Sequence, residues 1–225
     1  MVQAIKKMGL VVDYFSFRSD MREFIRELSG KCDLVLYISV ADEELIKGTG
    51  YKYRVIRPNP CWKNTFLAYC YNVFRHKHDL HKDSIEWKMR KLASPFGLKQ
   101  VLQILSFRLY ELIPGLLGYD RYLSLVNPDD NNVADLSAMI FFTDIKNDSL
   151  MASCMKSGIR RMVYVYSWDH PVKLTKLPKD ETDYLVWSQE MSDDLQYIHN
   201  IDAKKITIAG STQLSYVFDY LQEKT

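Results

Sequence analysis

The run Ser167-Trp168-Asp169-His170 sets an indole, a carboxylate and an imidazole side by side at the end of an apolar stretch. A tryptophan face stacks on a sugar ring or braces a loop, a carboxylate accepts a hydroxyl proton, and an imidazole serves as a general base. Trp168 is therefore a candidate substrate contact, and Asp169 with His170 is the candidate catalytic pair. The same residues have plainer uses, because the indole can fill a core and Asp169 can cap the turn before Pro171. Arg18 lies in Ser16-Phe17-Arg18-Ser19, between an apolar run and a helical pattern. Its guanidinium and the neighbouring N–H groups suit an anion such as a diphosphate. The alternative is a solvated arginine beside a helix capped by Asp20. Asp144 closes another apolar run and is a third candidate contact. Ser211, in Gly210-Ser211-Thr212, is a fourth: the turn joins a strand to a helix and offers N–H donors to a phosphate, although ordinary capping explains it equally well.

These positions share one feature, which is that each follows a segment patterned as a strand. Gly9 to Tyr14 is a short apolar strand, followed by a helix from about Asp20 with Glu23 as capping-box partner and Gly30 as its stop. Cys32 to Ser39 is almost continuously apolar, as in a sheet covered on both faces. A short helix over Ala41 to Lys47 leads to the alternating run Tyr51 to Ile56. After the middle of the chain the rhythm returns: strand Ala138 to Thr143, helix Asp148 to Ser157, strand Arg161 to Tyr166, strand Tyr184 to Ser188. Helix Glu190 to His199, strand Ile206 to Ala209 and a last helix to about Leu221 complete it. Strand and helix alternating in this way predict an α/β fold, a Rossmann-like doubly wound parallel sheet. Ligands of such sheets bind outside the carboxyl ends of the strands. Val11, Val12, Leu34, Leu36, Ile140, Phe141, Val163, Val165, Val186 and Ile208 are the expected core.

The middle, about 62–117, is helical in pattern and reads as an insertion after the third strand, broken at Pro95-Phe96-Gly97. With no internal repeat and no low-complexity linker, residues 1–225 are expected to form one domain. Gly48-Thr49-Gly50 is no dinucleotide fingerprint, because it precedes a strand. His76, His78 and His81 stand in a helical stretch rich in lysine and arginine, and no metal is expected there. Tyr69, Tyr71, Phe74 and Trp87 have helical spacings that suit a core.

Net charge is +2, yet Tyr51 to Tyr110 holds 12 Lys/Arg and 3 Asp/Glu, a local balance of +9 that leaves −7 elsewhere. Between Lys63 and Lys99 these basic residues interleave with Trp62, Phe66, Trp87 and Phe96, a pattern suited to an anionic membrane surface and equally to a solvated helical face. No nucleic-acid recognition module is legible, and no nucleic-acid partner is expected. Cys32, Cys61, Cys70 and Cys154 form no CxxC pair and read as reduced thiols. No apolar run approaches the roughly 20 residues of a spanning helix. Met1 to Met8 lacks a signal-peptide h-region. The expected location is cytoplasmic, with the inner face of the membrane as a peripheral site.

From Ala138 onward the parts come in a specific order: a strand ending FFTD, a helix ending KSGIRR, a strand ending SWDH, the tract DYLVWSQEM, and HNIDAKKITIAGSTQLSYVFDY. This order resembles bacterial surface-polysaccharide glycosyltransferases of the two-domain GT-B fold, including relatives of the CDP-glycerol glycerophosphotransferases. Ser167, Trp168 and Asp169 match a first motif, with His170 where asparagine is usual. Asp183, Val186, Trp187 and Met191 match a second. His199, Ile201, Ile206, Ile208, Gly210, Ser211 and Gln213 match a third in part, with Thr212 where proline is common. About 85 residues are covered; the first 60 agree only as a generic Rossmann start.

The resemblance implies the N-terminal, acceptor-side domain of such an enzyme, with Thr225 near the start of a donor-binding domain. It implies no cofactor in this domain, since the nucleotide-sugar donor belongs to a C-terminal domain or a separate donor subunit. The implied ligand is a saccharide or lipid-linked acceptor, and the domain alone is expected to be inactive. A non-catalytic α/β module binding a nucleotide, a saccharide or a protein partner is the alternative from another class.

Overall fold

Apolar runs too short for helices, each bounded by polar or glycine residues, form the strands of this chain. The computed structural model describes residues 6–12, 19–56, 112, 116–118, 121, 123–124, 132–142, 148–167, 171, 177–178 and 181–214. Strands β1 (Lys7–Val12), β2 (Asp33–Ile38) and β3 (Lys52–Val55) come first, with helices α1 (Ser19–Ser29) and α2 (Glu43–Ile46) between them. Strand β4 (Ala138–Phe142), helix α3 (Asp148–Lys156) and strand β5 (Arg160–Tyr164) follow. Strand β6 (Thr182–Val186), helix α4 (Gln189–His199) and strand β7 (Ile206–Ile208) complete the set. The expected helical insertion over 62–117 falls almost wholly outside the described residues.

All seven strands form one sheet in the order β3-β2-β1-β4-β5-β6-β7, and every pairing is parallel. Parallel neighbours need crossovers, and the helices that provide them cover both faces. On one face Val11, Phe141, Val163, Val165 and Val186 pack with Leu150 and Met151 of α3 and Met191 and Leu195 of α4. On the other, Leu10, Val12, Leu34, Leu36, Ile38 and Ile140 meet Ile25 of α1 and Ile46 of α2. Nine of the ten expected core residues are buried. Ile208 is the exception at 51% exposed, because β7 is the last strand of the sheet among the described residues.

The order places β1 beside β4, so the chain winds outward in both directions from that seam. A side chain at Gly9 would close the seam: a Cβ there would lie 2.5 Å from Met139 Sδ and 2.9 Å from Leu136 Cδ1. Glycine is the residue that lets β4 with its methionine approach β1 so closely.

Ion pairs tie neighbouring strands together, several of them at strand starts. Arg54 donates to both oxygens of Asp135 (2.8 and 2.7 Å), to the Tyr37 hydroxyl (2.9 Å) and to the Asn132 carbonyl (2.6 Å). Lys7 Nζ reaches the same carboxylate at 2.5 Å, and Ser137 N–H donates to the Lys7 carbonyl. Lys52 pairs with Asp33, and Arg160 with Asp183. Asp135 thus ties the chain entering β4 to β1 and β3, which sets where the fourth strand begins.

Candidate functional site

The seven parallel strands among the described residues deliver their carboxyl ends to one side of the sheet. Arg18, Asp144, Trp168, Asp169 and His170 lie outside the described residues; Ser211 lies within them. The elements leading to all six are described. The helix Ser19–Ser29 starts immediately after Arg18, and β4 ends at Phe142, two residues before Asp144. After β5 the chain stays extended through Val165, whose N–H donates to the Leu185 carbonyl at 2.8 Å, and continues to Ser167.

Two described residues beyond Ser167 are bonded to buried side chains. The carbonyl of buried Pro171 lies 2.7 Å from His199 Nε2, and His199 is 3% exposed. A carbonyl only accepts, so Nε2 carries the proton. The Pro178 carbonyl accepts from the hydroxyl of fully buried Tyr184. His199 occupies the last turn of α4, which ends because Asn200 turns left-handed (φ 52, ψ 45).

At the end of β6, Ser188 caps α4 by accepting from the Met191 N–H at 3.5 Å. Glu190 stands in the same turn, where the Ser188 hydroxyl and then its own backbone N–H hold its carboxyl below the usual range. This helix start is filled by its own side chains, which leaves it poorly suited to a foreign anion.

At the end of β7 the chain turns back over the sheet. Ala209 N–H donates to the Val186 carbonyl (2.7 Å), Gly210 adopts φ +82, and a 3-10 turn runs over Thr212–Leu214. The left-handed Gly210 allows the reversal without a Cβ clash. The returning segment touches α1. It is fastened by Tyr164: the hydroxyl donates to the Gly210 carbonyl and accepts from the Thr212 N–H, both at 3.0 Å. That use of the Thr212 N–H removes one of the donors that the Gly210-Ser211-Thr212 turn offers a phosphate.

Tyr164 is 2% exposed and forms an aromatic group with Phe24, Phe142 and Tyr166. It stacks on Phe24 at 6.4 Å and meets Phe142 edge-on at 5.6 Å. One side chain thereby joins α1, the end of β4 and the turn after β7. Pattern reading treats Tyr164 as one strand residue among several. The available signal is its hydroxyl, because a buried tyrosine needs a polar partner and the strand ladder supplies none.

Around β5, β6 and β7 the described strand ends Tyr164 to Ser167, Val186 to Gln189 and Ile208 to Leu214 hold hydroxyl, aromatic, amide and aliphatic residues, with Glu190 next at the start of α4. The starts of β5 and β6, by contrast, are joined by the Arg160–Asp183 ion pair. Among the described residues no group of three His, Cys, Asp or Glu side chains gathers to hold a metal ion. Nor is any described helix long and apolar enough to cross a membrane. Cys32 and Cys154 are free thiols, and burial pushes that of Cys32 up, with Asp33 adding to it. No family model, curated protein or solved structure matches the chain.

Proposed function

We propose that this chain is the acceptor-binding half of a glycosyltransferase of bacterial surface-polysaccharide synthesis, and that transfer requires a separate donor-binding domain. The observation that carries the reading is the placement of the ordered motifs on the sheet. The strand before Trp168, the strand running into Trp187 and the strand before Ser211 are neighbours, β5, β6 and β7, and they open toward the same side. Hydroxyl and aromatic residues at those ends suit a sugar, whose rings stack and whose hydroxyls exchange hydrogen bonds.

In this reading Trp168 stacks on the acceptor ring, and Asp169 or His170 takes the proton from the attacking hydroxyl. Arg18 and Asp144, next to the β1–β4 seam, hold the diphosphate and polar groups of a lipid-linked acceptor. The basic residues between Lys63 and Lys99 suit attraction to the anionic membrane in which such an acceptor sits. His199 and Tyr184 hold Pro171 and Pro178, which follow the catalytic pair in sequence.

Titration calorimetry with UDP-, GDP- and CDP-linked sugars tests the division of labour. The expected result is no micromolar binding to this chain, and a micromolar dissociation constant for any donor would contradict it. In the transferase completed with its donor domain, Trp168→Ala and Asp169→Asn are expected to reduce transfer strongly while the domain stays folded. Near-normal turnover in both variants would remove them from the site.

A further inference from the structure

Two buried polar atoms at the carboxyl ends of β6 and β7, Trp187 Nε1 and Ser211 Oγ, have no hydrogen-bond partner among the described residues. Burying such a group without a partner costs its full desolvation, so native structures leave few of them, and each needs an explanation. These two belong to neighbouring strand ends. Val186 pairs with Ile208, and the Ala209 N–H bonds the Val186 carbonyl, which sets Trp187 beside the start of the turn that carries Ser211. Trp187 packs against the apolar clusters of both sheet faces, so its ring spans the end of the sheet.

We propose that Trp187 Nε1 and Ser211 Oγ form a subsite for the hydroxyls of a saccharide. The chemistry of the pair selects the ligand. An indole N–H only donates, a serine hydroxyl donates and accepts, and a polyol offers both matching functions on adjacent carbons. An inorganic anion is the poorer match. No basic residue occupies the ends of β6 and β7, the Thr212 N–H is engaged by Tyr164, and the start of α4 holds Ser188 and the carboxylate of Glu190, which repels an anion. Both atoms are covered in this structure, so a sugar enters when the turn over 210–214 shifts, and Tyr164, bonded to Gly210 and Thr212, sets how readily it does.

The subsite rests on the acceptor-side reading for the source of its saccharide, and its test is separate. Saturation-transfer and chemical-shift titrations of the whole chain with glycerol, D-glucose, D-galactose and N-acetylglucosamine are compared for the wild type, Ser211→Ala and Trp187→Phe. The expected result is binding of at least one of these probes, weakened roughly fivefold or more in each variant, the loss that goes with one hydrogen bond. Removing an unsatisfied atom leaves the melting temperature of the free protein unchanged or raises it. Binding to no probe, or equal affinity in the wild type and Ser211→Ala, would overturn the proposal. The latter is also what one trapped water on these atoms predicts. Should Trp187→Phe fail to fold, Ser211→Ala alone decides. Weakened probe binding in the variants, combined with no transfer when a donor domain is supplied, would keep the subsite and remove the transferase reading.

Discussion

The Tyr164 hydroxyl bonds two residues nearly fifty positions away, and its removal is a change of one oxygen atom. Tyr164→Phe keeps the ring contacts with Phe24 and Phe142 and leaves the Thr212 N–H without its acceptor. A hydrogen bond of this kind contributes about 0.5–1.5 kcal/mol net. Hydrogen exchange should therefore show the Thr212 amide losing roughly tenfold in protection, with the β1 and β4 amides unchanged. Unchanged protection at Thr212 would mean that the turn is held by other contacts. Asp135 works at the opposite end of the sheet. The Arg54 guanidinium, and after it the Lys7 ammonium, hold its carboxyl well below the usual range, while Arg54 is pushed up by the same partner. A carboxyl depressed in the folded state adds stability that is fully present above its unfolded value, about 3.8, and is lost as pH falls through the folded one. Its side chain is 40% exposed, so solvent screens much of the effect. Denaturation of Asp135→Asn followed against pH should show a smaller stability loss below about pH 4 than the wild type. Parallel acid limbs would contradict the assignment.

At the scale of elements, the β1–β4 seam is the sensitive place. Gly9→Ala forces Met139 and Leu136 to move, and overpacking of this kind costs about 1–3 kcal/mol. Chemical denaturation should show that loss without a change in slope, whereas Gly30→Ala, which meets only ordinary contacts, should cost less. The strands that flank the seam were legible in the sequence because burial on both faces makes them apolar without interruption, as in Leu34 to Ile38. Boundaries moved by up to two residues: β1 starts at Lys7 rather than Gly9, and β6 at Thr182 rather than Tyr184. Lys7, Thr182 and Asp183 are polar or charged and join the ladder through their backbones. Ile208 was misassigned to the core because alternation reveals a buried face and says nothing about which strand lies last in the sheet. The partners of Tyr164, Arg54 and His199 were not legible for a similar reason. Each contact spans 17 to 81 positions and depends on strand order, which no local pattern encodes.

For the whole molecule, the order β3-β2-β1-β4-β5-β6-β7 separates two kinds of chemistry. Lys7, Lys52 and Arg160 form ion pairs at strand starts, while aromatic and hydroxyl residues such as Tyr164, Tyr166, Trp187 and Ser211 lie at the carboxyl ends of β5 to β7. The acceptor-side reading requires that a saccharide be recognised at the second of these and that a nucleotide-linked donor be recognised at neither. Chemical-shift mapping of the isotope-labelled chain, with D-galactose and N-acetylglucosamine in one series and UDP-glucose in the other, measures both requirements at once. The account predicts that the sugars shift the amides of Ser167, Trp187 and Ser211, and that UDP-glucose shifts none of them with micromolar affinity. Micromolar binding of UDP-glucose, or sugar-induced shifts confined to the strand starts around Lys7, Asp33 and Asp135, would contradict it.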